Sequence, residues 1–470
     1  MRIYEINTRA HCQKFNELSG AELVQLAELG FDAVWFMGVW QISEGARRIS
    51  KIVAPDFEGS PYAVPSYKFN ARLGGKTQFQ SLVKRAHDAG LSVIVDFVSN
   101  HTALDSPWID KNPQFYIRAD SRIRKQSTEE FFLHPSGEVV AFGRDPYFPP
   151  WRDTAQLDYS NAELRAHMIK VLKKISQVAD GVRCDMAMLV MRDYVRDQWC
   201  PLAAQEWFDE RMPGEFWDRC ISEVKAGRPD FSFIAEAYWD KEQELCDLGF
   251  DLTYEKKLYD ALVARSATGV LERLQRNAAA LKSSVYFIEN HDEPRAASVF
   301  NSSVNLMAAA LILSLPGSAL VHEGQLEGKR ERLPVQRIIP LTIEPPDMTL
   351  KTAYEGLLKA TAGNLFKEGG FQVFDAGLYG TVSFVRTNGE RVVAYLGQVS
   401  EAWHTFSRSP LEISTPARLL GAQRQIRVTN LLNSATAVIE AGADKTFKLT
   451  PSKLAAKDDD AFVLIEITPA

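Results

Sequence analysis

A chain of 470 residues is long enough to bury a large core without disulfide staples. Its 46% hydrophobic and 24% charged residues are an ordinary globular balance, which excludes a disordered, fibrous or disulfide-scaffold protein. A net charge of −6 gives no basic footprint for nucleic acid, and no apolar run approaches the ~20 residues of a membrane span.

The chain opens on Ile3–Asn7, which alternates like a strand and lacks the apolar core of a signal peptide. Seven more short apolar runs follow: Ala33–Met37, Val93–Phe97, Gly181–Asp185, Ser232–Glu236, Asp251–Tyr254, Val285–Glu289 and Ala319–His322. Most are apolar throughout, as in strands covered on both faces of a parallel sheet. Helical patterns lie between them. Ser19 to Gly30 carries Leu23, Leu26, Ala27 and Leu29 on one stripe, with Ser19 placed to cap and Gly30 to stop. Thr77–Gly90, Asn161–Ala179, Glu215–Lys225 and Val304–Leu315 follow the same plan. Strand and helix alternating eight times predict an α/β fold, a (β/α)₈ TIM barrel.

Two departures divide the chain further. Asp96 and Asp185 are 89 residues apart, where a βαβ unit needs only about 30. The excess is polar and rich in aromatics, Pro and Gly, and predicts an inserted subdomain over 102–156 after strand three. After about Phe371 the pattern changes to short runs between turn residues: Phe371–Phe374, Tyr379–Val385, Glu390–Leu396, Gln425–Val428, Ala437–Ile439, Thr446–Leu449 and Phe462–Ile467. These predict a C-terminal antiparallel β-sandwich over 366–470, leaving 1–101 and 157–365 to the barrel. The five cysteines are odd in number, widely spaced and never C-x-x-C, which points to a reduced, cytoplasmic setting.

Barrels of this kind carry their sites at the C-terminal strand ends. The third run closes Asp96-Phe97-Val98-Ser99-Asn100-His101, the fourth Gly181-Val182-Arg183-Cys184-Asp185, the fifth Ala235-Glu236, and the seventh Glu289-Asn290-His291-Asp292. A lone acid at a strand end is usually a helix cap or an ion pair. Four strands delivering carboxylates to one rim are costly unless function requires them. Hydrolysis of a glycosidic bond requires such a set: one protonated acid for the leaving oxygen and one ionised carboxylate across the sugar. Arg183 and Asp185 are two apart on a strand, so both point the same way, and the guanidinium keeps Asp185 ionised. Glu236 follows an apolar strand, where burial beside other acids raises its pKa.

These four segments resemble the signature regions of the α-amylase family, glycoside hydrolase family 13. Asp96, Asn100 and His101 match Asp-x-x-x-Asn-His; Gly181, Arg183 and Asp185 match Gly-x-Arg-x-Asp; Glu236 matches the acid; Asn290, His291 and Asp292 match Asn-His-Asp. The resemblance implies that Asp185 is the nucleophile, Glu236 the acid/base and Asp292 the transition-state stabiliser. It implies substrate binding by Tyr62, His101, Arg183, His291, Asp96 and Asn290. The insertion resembles domain B and the C-terminal region domain C. Gly59-Ser60-Pro61-Tyr62 resembles the segment whose Tyr stacks on the sugar, with core packing as the competing reading of Tyr62. Trp40, Tyr238 and Trp239 are candidates for sugar subsites, or for the core. Ala155-Gln156-Leu157-Asp158 resembles the motif near the end of domain B.

The sequence also departs from the family. Met188 and Leu189 stand where starch-cleaving members often have Lys-His, positions serving an acceptor subsite and the calcium region. No cofactor is therefore expected; Asn100 and Asp158 are the residues left as calcium candidates. The run Lys329-Arg330-Glu331-Arg332 reads as a solvated face. The function implied is a retaining glycosidase hydrolysing O-glycosyl bonds of α-glucans, maltooligosaccharides or short α-glucosides through a covalent glycosyl-enzyme. The alternative is an α-glucan transglycosylase, phosphorylase or trehalose-type isomerase on the same trio. A catalytically dead scaffold is the third reading, against which the intact trio speaks. The partner expected is a carbohydrate substrate, with neither nucleic acid nor membrane.

Overall fold

The computed structural model describes residues 1–119, 129–200, 205–389, 391–414, 425–442, 446–457 and 459–470, without the side chains of 402–404. Part of the insertion and Glu390, the first residue of one expected strand, thus lie outside the described residues.

Eight strands close into a barrel: β1 (Arg2–Asn7), β2 (Ala33–Met37), β3 (Ser92–Val98), β4 (Gly181–Asp185), β5 (Ser232–Ala235), β6 (Leu252–Tyr254), β7 (Ser284–Tyr286) and β8 (Ser318–His322). Every neighbouring pair is parallel, with β1 joined to both β2 and β8. The strands are buried on both faces, as their near-continuous apolar runs require. Ile3, Trp35, Ile94, Ile234, Tyr254, Val285, Phe287 and Leu320 fill the barrel interior. Gly181 lets β4 approach β5, since a Cβ there would lie 2.9 Å from the Ser232 carbonyl oxygen.

Helices α1 (Gly20–Glu28), α2 (Gly75–Asp88), α3 (Ala162–Ile175), α4 (Phe216–Lys225) and α5 (Ser302–Ser314) fall where the apolar stripes predict them. Ser19 forms a capping box with Glu22, Asn161 accepts from Glu163 and Leu164, and Gly30 turns left-handed (φ 87°) to end the first helix. The seventh strand is shorter than the expected Val285–Glu289. Glu289 leaves the ladder to accept from the Ala296 N–H (2.6 Å) and to pair with Arg295 (2.9 Å), so the chain turns away after Tyr286.

The insertion enters and leaves on an antiparallel pair, His101–Ala103 with Thr154–Gln156, and carries the hairpin Phe131–Leu133/Val139–Ala141. At the C-terminal end a six-stranded antiparallel sheet contains β9 (Gly370–Val373), β10 (Thr381–Asn388), β11 (Arg391–Gln398), β12 (Gln425–Asn430), β13 (Thr436–Glu440) and β14 (Phe462–Pro469). A two-stranded sheet, Leu411–Ser414 with Thr446–Leu449, packs Leu411, Ile413, Phe447 and Leu449 against one face of it. The opposite face, with Val382, Phe384 and Tyr395, joins the barrel core. Tyr395 donates to the Met307 carbonyl (3.0 Å) and Arg386 to that of Ser314 (2.7 Å), both on α5. None of the five cysteines forms a disulfide. Among the described residues no helix is long and apolar enough to cross a membrane.

Candidate active site

Asp96, Arg183, Asp185 and Glu236 point into the mouth of the barrel because β3, β4 and β5 run in register, with Asp96 beside Arg183 and Cys184 beside Ala235. One guanidinium joins the two central acids. Arg183 Nη1 donates to Asp185 Oδ1 (2.8 Å), and Nη2 lies 2.7 Å from Glu236 Oε1. Arg183 is 1% exposed and packs between the rings of Trp35, Tyr62 and Tyr254 at 5.2–5.6 Å. Its charge is thus held in a low-dielectric cage, where it acts strongly on both carboxylates.

Glu236 receives two further contacts. The Met186 N–H donates to Oε2 (2.7 Å), and the Tyr238 hydroxyl reaches Oε1 (3.0 Å). Met186 aims that N–H from a left-handed conformation (φ 42°), which is strained for a side chain with a Cβ. Trp239 and Asp240 also carry positive φ (58° and 63°), directly after Tyr238. Three strained residues thus flank the two central acids. Burial pushes the Glu236 carboxyl up to about 7; Arg183 opposes this, and the charges of Asp185 and Asp292 reinforce it. Asp185 is also raised by burial, against the pull of Arg183.

Asp292 stands at the opening, its side chain 46% exposed, with Oδ2 2.9 Å from His291 Nε2. Enclosure by the rim works against its ionisation, but the His291 charge and hydrogen bond outweigh this and hold its carboxyl low. His291 is fixed from behind by Glu5, a fully buried acid on β1 whose Oε1 lies 2.5 Å from His291 Nδ1. Glu5 Oε2 faces His322 Nδ1 at 3.2 Å. Burial opposes the His291 imidazolium, yet Asp292 and Glu5 on either side keep its pKa well above the usual histidine value. Sequence reasoning missed Glu5. The available signal was its parity: Ile3 faces the interior, so Glu5 and Asn7 face it too.

The other expected residues divide into two groups. Tyr62 stacks on His291 (5.4 Å between rings) and its hydroxyl reaches Nε2 (2.8 Å), so it belongs to the cluster and not only to the core. His101 lies beside Trp151 (5.1 Å), with burial lowering its pKa to about 4, so it is a neutral ring. Asp96 and Asn290 shape the floor beneath. Asp96 is 1% exposed and accepts from Trp35 Nε1 and the Gly38 N–H (both 3.1 Å); burial raises it to about 7. Asn290 Oδ1 accepts from the N–H groups of Asp292 and Glu293 (2.9 Å each), forming the turn that presents Asp292. Trp40 is core: it is 3% exposed, packs on Tyr67 and Phe69, and donates to the Asp96 carbonyl. Trp239, by contrast, is half-buried and forms an aromatic wall with Tyr147 from the insertion (4.8 Å) and Tyr194 (5.7 Å). Met188 and Leu189 are buried in the core and do not line the cleft. The charged run is not merely solvated: Arg332 donates to the Asp292 carbonyl, and Glu331 accepts from the Leu341 and Thr342 N–H groups.

The calcium candidates do not suit the ion. Asn100 Oδ1 accepts from Gln156 Nε2 (2.9 Å), and Asp158 Oδ1 accepts from the N–H and hydroxyl of Ser160 (3.0 and 2.6 Å). Among the described residues no three His, Cys, Asp or Glu side chains gather as metal ligands.

The family model "Alpha amylase, catalytic domain" matches residues 20–338, more than half of the chain. The chain belongs to the α-amylase family. An α-amylase from Dictyoglomus thermophilum is 23% identical over 292 residues, covering 56% of this chain and 53% of its own length. A 4-α-glucanotransferase from Thermotoga maritima is 25% identical over 328 residues, covering 65% of each chain. The chain spans about half the length of several curated relatives, 53% of the Dictyoglomus enzyme and 44% of an α-amylase from Haloarcula japonica. Among solved structures, the maltogenic α-amylase AmyB of Thermotoga neapolitana superposes with a TM-score of 0.74 at 21% identity, covering 100% of this chain and 99% of that one. An α-amylase from Lactobacillus plantarum gives 0.70 at 22%, covering 99% and 98%. These two likenesses are likenesses of fold.

Proposed function

We propose that this protein is a retaining enzyme acting on α-glucosidic bonds, with hydrolysis of maltooligosaccharides or short α-glucosides as its main reaction. The observation that carries the reading is the Arg183 guanidinium shared by Asp185 and Glu236. A single planar fork holds the two acids close together, in keeping with the ~5 Å of retaining pairs rather than the wider gap that admits an attacking water. Asp185, beside the fork and open to the mouth, attacks the anomeric carbon and becomes the glycosyl ester. Glu236, pushed up to about 7 by burial, holds the proton that the leaving oxygen takes, then removes one from the acceptor. Asp292 and His291 face the developing positive charge and the ring hydroxyls. Asp96 and Asn290 support the strand end and loop that carry these groups, and Tyr62 stacks against the sugar.

The second reading is transfer in place of hydrolysis, favoured by the wall of Trp239, Tyr147 and Tyr194 beyond Glu236. Aromatic faces hold an acceptor sugar and displace water from the glycosyl ester. The relatives named α-amylase and 4-α-glucanotransferase bracket the two outcomes. Met188 and Leu189, buried where starch-cleaving members of the family often carry polar side chains, offer no hydrogen bond to a distant acceptor sugar, which supports short substrates over long starch. Five widely spaced cysteines with no C-x-x-C pair support a cytoplasmic setting.

The test is product analysis on maltose, isomaltose, trehalose, sucrose, maltodextrin and starch. Release of reducing ends from α-1,4-linked oligosaccharides is expected, at least as fast on maltotriose as on starch. Longer or isomeric products without net reducing ends would establish transfer, and inactivity on every α-glucoside would overturn the reading.

A further inference from the structure

Three oxygens from the two ends of the insertion converge on one buried nitrogen. Gln156 Nε2 lies 2.9 Å from Asn100 Oδ1, 3.0 Å from the Asn100 carbonyl oxygen and 3.2 Å from that of Leu157. Asn100 is 1% exposed, Gln156 2% and Leu157 1%. The orientation of the amide is fixed by its surroundings. Gln156 Oε1 accepts from Asn100 Nδ2 (3.3 Å) and from the Arg144 N–H (3.4 Å). The flipped amide would set an oxygen against two carbonyls and an NH₂ against an N–H. Asn100 stands where β3 gives way to the insertion, and Gln156 and Leu157 stand where the chain returns. His101 pairs directly with Gln156 across that two-stranded ladder.

Convergence of a side-chain amide oxygen and two backbone carbonyls is the oxygen arrangement a hard cation favours. Here the point of convergence is occupied by an N–H₂ group of the chain itself. We infer that the Gln156 amide replaces a cation as the clasp that closes the base of the insertion and holds His101 beside the cleft. A neutral donor suits the place, because the three oxygens carry no formal charge to compensate. Two N–H bonds serve three acceptors, so one is shared, as commonly happens where acceptors crowd. The inference stands on the hydrogen bonds alone and is independent of the proposed reaction.

The test is thermal unfolding of the full chain and two variants, each in EDTA and in millimolar CaCl₂. For the wild type we expect melting temperatures within about 1 °C of each other, since no bound ion stabilises the folded state. Gln156→Glu converts the centre into four facing oxygens with no donor. Its melting temperature in EDTA is expected to fall by about 5 °C or more, and CaCl₂ is expected to restore at least half of the loss. Gln156→Met keeps the bulk without the amide; it should lose stability in EDTA and show no response to calcium. A wild-type melting temperature that drops on chelation and returns with CaCl₂ would overturn the inference. So would a Gln156→Glu protein as stable in EDTA as the wild type, or one destabilised and unresponsive to calcium. If neither variant folds, the wild-type comparison still decides.

Discussion

Glu255 and the Asp185–Glu236 pair are buried acids that follow or end barrel strands, and their surroundings differ in one respect. Glu255, 1% exposed after β6, is held by two guanidinium groups, Arg273 at 2.8 Å and Arg276 on the other oxygen. Asp185 and Glu236 share one guanidinium between them, with Asp292 close enough to act on both acids and Asp96 close enough to interact with Asp185 and Arg183. In the first place each carboxylate oxygen has a cation of its own, and the acid is a strut. In the second the acids outnumber their cations, and burial raises both central carboxyls above the usual range. Burial of an acid therefore does not mark a site; incomplete neutralisation of several acids does.

The largest expected effect separates these two places. Asp185→Asn and Glu236→Gln should each lower kcat on natural sugars by roughly 10³-fold or more, with melting temperatures equal to or above that of the wild type. Glu255→Gln should do the reverse. It leaves two half-buried guanidinium groups without their anion, costing about 2 kcal/mol of stability, and should change kcat by less than about threefold. Steady-state kinetics and thermal melts on the three variants check this together. A Glu255 variant as inactive as the Asp185 one would erase the distinction.

A second contrast is in pH. The activity of the free enzyme should fall as pH rises through about 7, where Glu236 gives up its proton. The same group has a stability signature. Its folded pKa exceeds the unfolded value of about 4.3, so between those two values the folded state holds a proton that the unfolded chain has released. Its contribution to stability is then lost as pH rises through that window. Glu236→Gln should show a shallower fall of melting temperature across it than the wild type. Tyr238→Phe is a smaller perturbation. It removes a hydrogen bond to the ionised form, so the alkaline limb of kcat/KM should move to higher pH. An unmoved limb would place Tyr238 outside the proton chemistry.

These contrasts also show what the sequence displayed. The barrel was legible because parallel strands buried on both faces read as bare apolar runs, and the gathering of Asp185, Glu236 and Asp292 at one rim because each ends or follows one of them. Glu289 was misplaced into β7, since the pattern cannot show that its carboxylate turns back to cap Ala296. Leu411–Ser414 was not read as a strand, because Pro410 and Pro416 flank it closely and make the stretch read as a loop. Glu5 escaped notice because a single acid in an apolar strand resembles an interruption, and its partner His291 lies 286 residues away. The Gln156 clasp is equally invisible in sequence, where it is one amide in a short motif.

Glu5 offers the finer test of the charge arrangement. Glu5→Gln keeps an oxygen facing His291 but removes the charge that helps hold the imidazolium. We expect kcat to fall about tenfold with little change in KM, as for a group acting through another. Trp239→Ala should have the smallest effect on bond cleavage, less than about tenfold, while raising the ratio of hydrolysis to transfer at high acceptor concentration. An unchanged ratio would remove the aromatic wall from the acceptor side.

The central claim is that Asp185 carries the sugar between the two steps. It is tested most directly by incubating the enzyme with a 5-fluoro-α-glycosyl fluoride, which forms the glycosyl ester quickly and loses it slowly, followed by peptide mass mapping. The account predicts one added sugar per chain, on the peptide containing Asp185, and none in Asp185→Asn. A sugar on any other residue, or turnover with inversion at the anomeric carbon and no adduct, would contradict it.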